Sequence, residues 1–187
     1  MAASADTTSL PPAVPAAAMW LPGRALNCYV GNAALQSWLL TPGLLTQRIR
    51  EAAGDGFAMH CLHEGMIGDA HVREIDMSCD GVVWMFAHTR VPAATLQAQP
   101  WLGQIGHRTL GEALHGRERL TREEFRYAQL YPDSWLADRA LRHAGLTAQP
   151  VWVRHSAFIV DHAPFDLYEV FLPGIGQRVT DRARAPR

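Results

Sequence analysis

Apolar positions along the chain follow two periods, and the points where the period changes mark the elements. From Asn32 onward, Leu35, Trp38, Leu39 and Leu40 recur at helical spacing. Asn32 is a suitable N-cap, and Pro42 and Gly43 break the segment. A second helix is expected from about Thr46 to Ala53, ended by Gly54. The period then drops to two. Phe57 to Glu64 reads as a strand, Gly65 to Gly68 as a turn, and His71 to Cys79 as another strand. Asp80-Gly81 is a strong hairpin signal, and Val82 to Val91 is the partner strand, closed by Pro92. In the middle of the chain, Trp101, Leu102, Ile105, Leu110 and Leu114 carry roughly helical spacing interrupted by glycines. Arg122 to Leu130 fits helix or strand equally well. Ser134 to His143 predicts a helix with Leu136, Ala140 and Leu141 on one side. Val151 to Val160 and Phe165 to Leu172 are two more strands, joined by a turn at His162, Ala163 and Pro164. Strand hairpins flanking a helical middle predict a single-domain α+β fold with a mainly antiparallel sheet.

The same alternation exposes charges on apolar faces. Successive side chains of a strand point to opposite sides. Glu169 therefore shares a face with Phe165, Leu167 and Phe171, and Arg73 shares one with Ile75, Met77 and Cys79. Glu74 and Asp76 take the opposite face, toward solvent or a covering helix. A charge on an apolar face is costly unless it is paired or hydrogen-bonded. Two readings stay open: a buried Arg–Glu pair that only locks the sheet, or a polar pocket in an apolar wall. In a pocket, the arginine fork suits a carboxylate, and the glutamate suits a hydroxyl or a moving proton.

Composition narrows the classes. A length of 187 residues suggests one domain, and a hydrophobic fraction of 48% is enough for one core. The formal net charge of -1 leaves no basic surplus for nucleic acid, although a local positive pocket remains compatible with it. Cys28, Cys61 and Cys79 are too few, and odd in number, for a disulfide framework; they read as reduced thiols of a cytoplasmic protein. Residues 1–22 are rich in Ala and Pro and lack a basic n-region. They are expected to be a disordered lead-in, neither signal peptide nor membrane span. Residues 177–187 are expected to be a disordered tail, which leaves residues 23–176 as the domain. His60 and His63 fall on opposite faces of one strand by simple alternation, so with Glu64 they make no metal site. His88 shares a face with Trp84 and Phe86, as a pocket residue or as a satisfied core histidine. Gly103, Gly106 and Gly111 do not follow a strand as a phosphate loop would. Trp101 and Trp135 read as packing residues.

Several short segments together resemble the chorismate pyruvate-lyase family of ubiquinone biosynthesis. They are Trp38-Leu-Leu followed by Leu44-Leu-Thr-Gln-Arg48; Val72-Arg-Glu-Ile75; Asp80-Gly81 leading to Trp84 and Ala87-His-Thr-Arg-Val-Pro92; Leu110-Gly-Glu-Ala-Leu114; and Trp152-Val-Arg-His-Ser156 leading to Tyr168-Glu-Val-Phe-Leu-Pro173. They stand in the family's order over roughly residues 32 to 173. The resemblance implies a six-stranded antiparallel sheet with helices covering an internal pocket, which makes Arg122 to Leu130 a strand. It implies a carbon–oxygen lyase that needs no cofactor and no metal. Such an enzyme converts chorismate to 4-hydroxybenzoate and pyruvate, the first committed step toward the ubiquinone ring; a closed pocket further suggests slow product release and inhibition by 4-hydroxybenzoate. Arg73 matches the arginine that holds the ligand carboxylate, and Glu169 matches the glutamate at the hydroxyl end. Leu110 matches the backbone contact, and Leu45 matches a pocket-wall position where methionine is common. His88 stands where some relatives carry arginine, so a second positive contact is left unassigned, with Arg90 nearby. Segment 131–150 is longer than in compact members, and its extra helix is expected to pack outside. A monomer is expected, with no nucleic-acid partner and no membrane span. The alternatives are a small-molecule sensing domain of related fold, or a related enzyme giving a different hydroxybenzoate. A regulator of the first kind would carry a helix-turn-helix domain, for which residues 1–31 are too short and too rich in Ala and Pro.

Overall fold

The computed structural model describes residues 18–42 and 45–177. Among them, five α-helices and eight strands form an α+β fold. The strands are β1 (Leu21–Pro22), β2 (Phe57–Ile67), β3 (Ala70–Cys79), β4 (Val82–Pro92), β5 (Leu120–Arg122), β6 (Arg126–Leu130), β7 (Val151–Val160) and β8 (Ala163–Phe171). The helices are α1 (Ala33–Leu39), α2 (Leu45–Ala53), α3 (Ala93–Ala98), α4 (Leu110–Leu114) and α5 (Trp135–His143). The sheet runs β1-β6-β7-β8-β4-β3-β2, and β5 also pairs with β7. Every pairing is antiparallel. The six expected strands are all present. The count rises to eight because the ambiguous segment divides into β5 and β6, and because β1 pairs with β6. Residues 18–22 thus belong with the domain: Leu21 is buried, and Ala18 and Trp20 pack on the core. The remainder of the lead-in, residues 1–17, and residues 178–187 of the tail lie outside the described residues.

Local chemistry explains the turns. Asp80 and Gly81 have φ of 50° and 80°, and Asp161 and His162 have φ of 47° and 66°. Two consecutive positive φ values are what a two-residue hairpin requires. The second turn therefore lies at Asp161–His162, ahead of Ala163 and Pro164, which already belong to β8. Likewise β2 continues through Gly65 to Ile67, and the chain reverses at Gly68, where φ is 59°. Asn32 caps α1 by accepting a hydrogen bond from the Leu35 amide at 3.0 Å.

The sheet is covered on both faces, by different elements. On the front face, α1 and α2 pack Leu39, Leu45, Ile49 and Ala53 against Ile75, Met77, Met85 and Phe171. Further along the same face, Leu102, Ile105, Leu110 and Leu114 pack against Val91, Phe158 and Phe165. On the rear face, α5 buries Leu136, Ala137, Ala140 and Leu141 against Phe86, Val153 and Val170. The helix of segment 131–150 is thus one wall of the core rather than an outer addition. Among the described residues, no helix is long and apolar enough to cross a membrane.

Covering both faces buries β3 along its whole length, so Glu74 and Asp76 are as enclosed as Arg73. Helix α5 supplies their partners. Arg139 Nε donates to Glu74 Oε1 at 2.6 Å, and His88 Nδ1 lies 3.2 Å from the same oxygen. Asp76 lies between His60 Nδ1 at 2.8 Å and His143 Nε2 at 2.7 Å. Burial pushes the Glu74 carboxyl up, but the hydrogen bonds from His88 and Arg139 and the Arg139 charge outweigh it. The carboxyl ends below its ordinary value of 4.5. A group depressed in the folded state stabilises the fold above its unfolded pKa, and that contribution is lost as pH falls through the folded value. Glu74→Gln should therefore cost about 1–3 kcal/mol near pH 7, since it removes charge-assisted bonds. The gap from the unsubstituted protein should close as pH falls below about 4.5. Urea titrations at neutral and acidic pH read this directly, and a gap that widens in acid contradicts it.

Candidate active site

Between the two groups of helices, the front face of the sheet forms the floor of a partly open cavity of about 540 Å³. That volume suits a small molecule. Its floor is one continuous sheet face: Arg73, Ile75 and Met77 of β3, Met85, Ala87 and Thr89 of β4, Leu167 and Glu169 of β8, and Arg154, Ser156 and Phe158 of β7. Leu45 of α2 and Leu110 of α4 close it from the helical side. Arg73, Glu169, Leu45 and Leu110, all singled out from the sequence, thus meet around one space.

Arg73 is held from two sides. It is 2% exposed. Its Nη2 donates to the carbonyls of Gly106 at 2.8 Å and Arg108 at 2.7 Å. Glu64 of β2 stands behind it, 3.8 Å from Nε. The Glu64 carboxylate also accepts from the amides of Ile105 at 3.1 Å and Gly106 at 2.9 Å. One acid therefore fixes both the arginine and the loop that orients it. Arg73 Nε is buried without a hydrogen-bond partner. Burial works against its positive charge, while Cys61 and Glu64 work in favour of it. Burial also pushes the neighbouring His71 imidazole below 6.5, which keeps a second positive charge away from Arg73 at neutral pH.

Glu169 does not pair with Arg73. Its Oε2 accepts from Arg154 Nε at 2.6 Å, directly across the β7–β8 ladder. Arg154 is itself 2% exposed. Its Nη1 donates to the Thr41 carbonyl at 2.9 Å, just past the end of α1. The pair thus ties a helix terminus to the floor of the cavity. No hydrogen bond within the described residues reaches Glu169 Oε1, on a side chain that lines the cavity. Arg73 pairs with Thr89, and Glu169 pairs with Ala87, on either side of β4. Two strand spacings and two residues of offset separate their Cα atoms by about 12 Å. Both side chains project from the same sheet face into the one cavity.

His88 is not on this face. A bulge between Met77 and Ser78 diverts Trp84, which packs on Trp38 at 6.1 Å, while Phe86 and His88 keep to the α5 side. His88 is a satisfied core histidine, bound to Glu74 and edge-on to Trp135. Arg90 pairs with Asp69 in the hairpin loop. A second bulge, between Cys61 and His63, sets His60 opposite Asp76 and His63 opposite Glu74. Simple alternation, which separates the two histidines, fails there. Arg154 was legible but not singled out: it alternates with Trp152, Ser156 and Phe158 as Arg73 does with its own apolar neighbours. Glu64 carried no such signal, because its role depends on the loop at 105–106.

The chain matches a family model described as Chorismate lyase over residues 14–182. It is 31% identical to a protein of Thiobacillus denitrificans named "Probable chorismate pyruvate-lyase", over 83% of this chain and 89% of that one. It is 28% identical to a protein of the same name from Methylobacillus flagellatus, over 81% and 94%. Among solved structures it is similar to the effector domain of PhnF from Mycobacterium smegmatis. That similarity has a TM-score of 0.41 and 16% identity, over 64% of this chain and 78% of that one.

Proposed function

The chain belongs to the chorismate lyase family and is a chorismate-cleaving lyase, and we propose that it releases 4-hydroxybenzoate and pyruvate, toward the ubiquinone ring. The observation that carries this reading is the spacing of two buried charges along one cavity. Arg73 and Glu169 both line it, with Cα atoms about 12 Å apart along the sheet. Chorismate has a ring carboxylate, a ring hydroxyl across from it, and an enolpyruvyl ether on the carbon beside that hydroxyl. Arg73 takes the ring carboxylate, which stays on the product. Glu169 takes the hydroxyl that becomes the phenol, through the oxygen that Arg154 leaves unused.

The reaction needs few groups. The ring carbon–oxygen bond to the enolpyruvyl group breaks, and the hydroxyl-bearing carbon loses its hydrogen. The enol methylene gains a proton and becomes the methyl of pyruvate, and the ring becomes aromatic. Aromatisation supplies much of the driving force, so the protein's task is to hold one reactive geometry away from water. Leu45, Leu110, Ile75 and Phe158 supply the apolar enclosure. Because the product keeps both anchored groups, it remains a good ligand and should inhibit.

Incubation of the purified protein with chorismate should yield 4-hydroxybenzoate and pyruvate in equal amounts, and added 4-hydroxybenzoate should slow the reaction. A different hydroxybenzoate, or binding without turnover, would replace this reading by one of the alternatives.

A further inference from the structure

The substrate proposed above carries two carboxylates, and Arg73 accounts for one. Four arginines line the cavity: Arg73, Arg117, Arg122 and Arg154. Arg154 is committed to Glu169 and Thr41. Arg117 is stacked on Trp101 at 4.0 Å, with its Nε toward the Ala113 carbonyl. Arg117 and Arg122 are both exposed and, among the described residues, without an acidic partner within ion-pair distance; Arg122 is the one that shares an aromatic ring with Arg154, and its hydrogen bond to the Pro42 carbonyl is 3.5 Å long. It pairs across the ladder with Phe158, which sets it on the cavity side of the sheet. Its guanidinium lies 4.2 Å from the centre of the Phe125 ring, against which Arg154 also lies at 4.3 Å. Burial and then the Arg154 charge push the Arg122 guanidinium down, against the pull of the Glu169 carboxylate, so a second anion beside Arg122 would offset the remaining repulsion.

A second observation points to the same place. Ser156 is 1% exposed and lines the cavity, and its Oγ has no hydrogen-bond partner. Buried hydroxyls are rarely left unpaired. Along β7, Ser156 stands between Arg154, which faces Glu169, and Phe158, which faces Arg122.

We propose that Arg122 and Ser156 form a second anion subsite, at the β5 end of the cavity, that takes the enolpyruvyl carboxylate. The proposal rests on chorismate as substrate and on Glu169 as the hydroxyl anchor. The ether sits on the ring carbon next to the hydroxyl, so its carboxylate must lie near the Glu169–Arg154 pair; Ser156 stands two residues along β7 from Arg154, and the Arg122 guanidinium lies against the same Phe125 ring as Arg154. Holding this carboxylate orients the leaving group. It also separates substrate from product, because 4-hydroxybenzoate has nothing to place there.

The test uses a stable dicarboxylate, 3-(carboxymethoxy)-4-hydroxybenzoate, beside 4-hydroxybenzoate, with binding measured by calorimetry. The unsubstituted protein should bind the dicarboxylate about tenfold or more tighter than the monocarboxylate. Arg122→Gln should abolish that preference while leaving 4-hydroxybenzoate within about twofold, and should raise KM for chorismate about tenfold. Ser156→Ala should reduce the preference in the same direction. Preference that persists in Arg122→Gln, or equal weakening of both ligands, overturns the subsite. A protein that shows the preference but leaves chorismate intact overturns the activity and keeps the subsite. One that makes 4-hydroxybenzoate without the preference does the reverse, and one that binds neither ligand overturns both.

Discussion

The Arg73→Ala variant should lose about 10²- to 10³-fold in kcat/KM toward chorismate, or about 3–4 kcal/mol, because a desolvated carboxylate is left without its partner. The loss should appear in product binding as well. 4-Hydroxybenzoate should raise the melting temperature of the unsubstituted protein and leave that of Arg73→Ala unchanged. The fold itself should survive, since Glu64 keeps its hydrogen bonds to the amides of Ile105 and Gly106 when the guanidinium is gone. Arg73→Lys should recover little. One ammonium cannot serve the Gly106 and Arg108 carbonyls and also present a planar fork to a ligand. A lysine variant with near-normal kcat/KM would show that Arg73 supplies only charge.

The second large effect concerns Glu169, where stability and catalysis separate. Glu169→Ala strands Arg154, 2% exposed, with carbonyl partners alone. Breaking one side of a buried pair costs about 3–5 kcal/mol. Glu169→Gln keeps an acceptor for Arg154 Nε and should cost far less in urea denaturation. Its activity should nevertheless fall. If the carboxylate moves a proton, kcat drops with little change in product affinity; if it only positions the hydroxyl, kcat and affinity fall together. An alanine variant as stable as the glutamine variant would contradict the role given to Arg154.

Alternation along strands made Arg73 and Glu169 legible because each interrupts an otherwise apolar face. The same rule reached its limits where a second layer intervenes. It put Glu74 and Asp76 opposite Arg73 but could not say that α5 would cover them with Arg139 and His143. It misassigned Trp84 and His63 because one extra residue in a strand reverses every face beyond it. His88 was undecided for a related reason: an apolar face identifies a core, not which of two cores. Leu21–Pro22 is too short to carry a period, and its strand exists only through pairing with β6. Ser156 and Arg122 sat in plain view, but a hydroxyl without a partner and an arginine without an acid are properties of the folded neighbourhood and have no sequence signature.

The burial of β3 on both sides has a further consequence for how the chain folds. Its sequence alternates Arg73, Glu74, Ile75, Asp76, with a cation turned to the front and two acids turned to the rear. A slip of a single residue against β4 would exchange these sets, aiming two acids into the cavity and driving the arginine beneath α5. Such a misfolded form would be as compact as the native one and electrostatically inverted. The tight reversal at Asp80–Gly81 and the bulge between Met77 and Ser78 together set the register that forbids it, and so a surface turn and one extra residue fix the sign of charge at the heart of the enzyme.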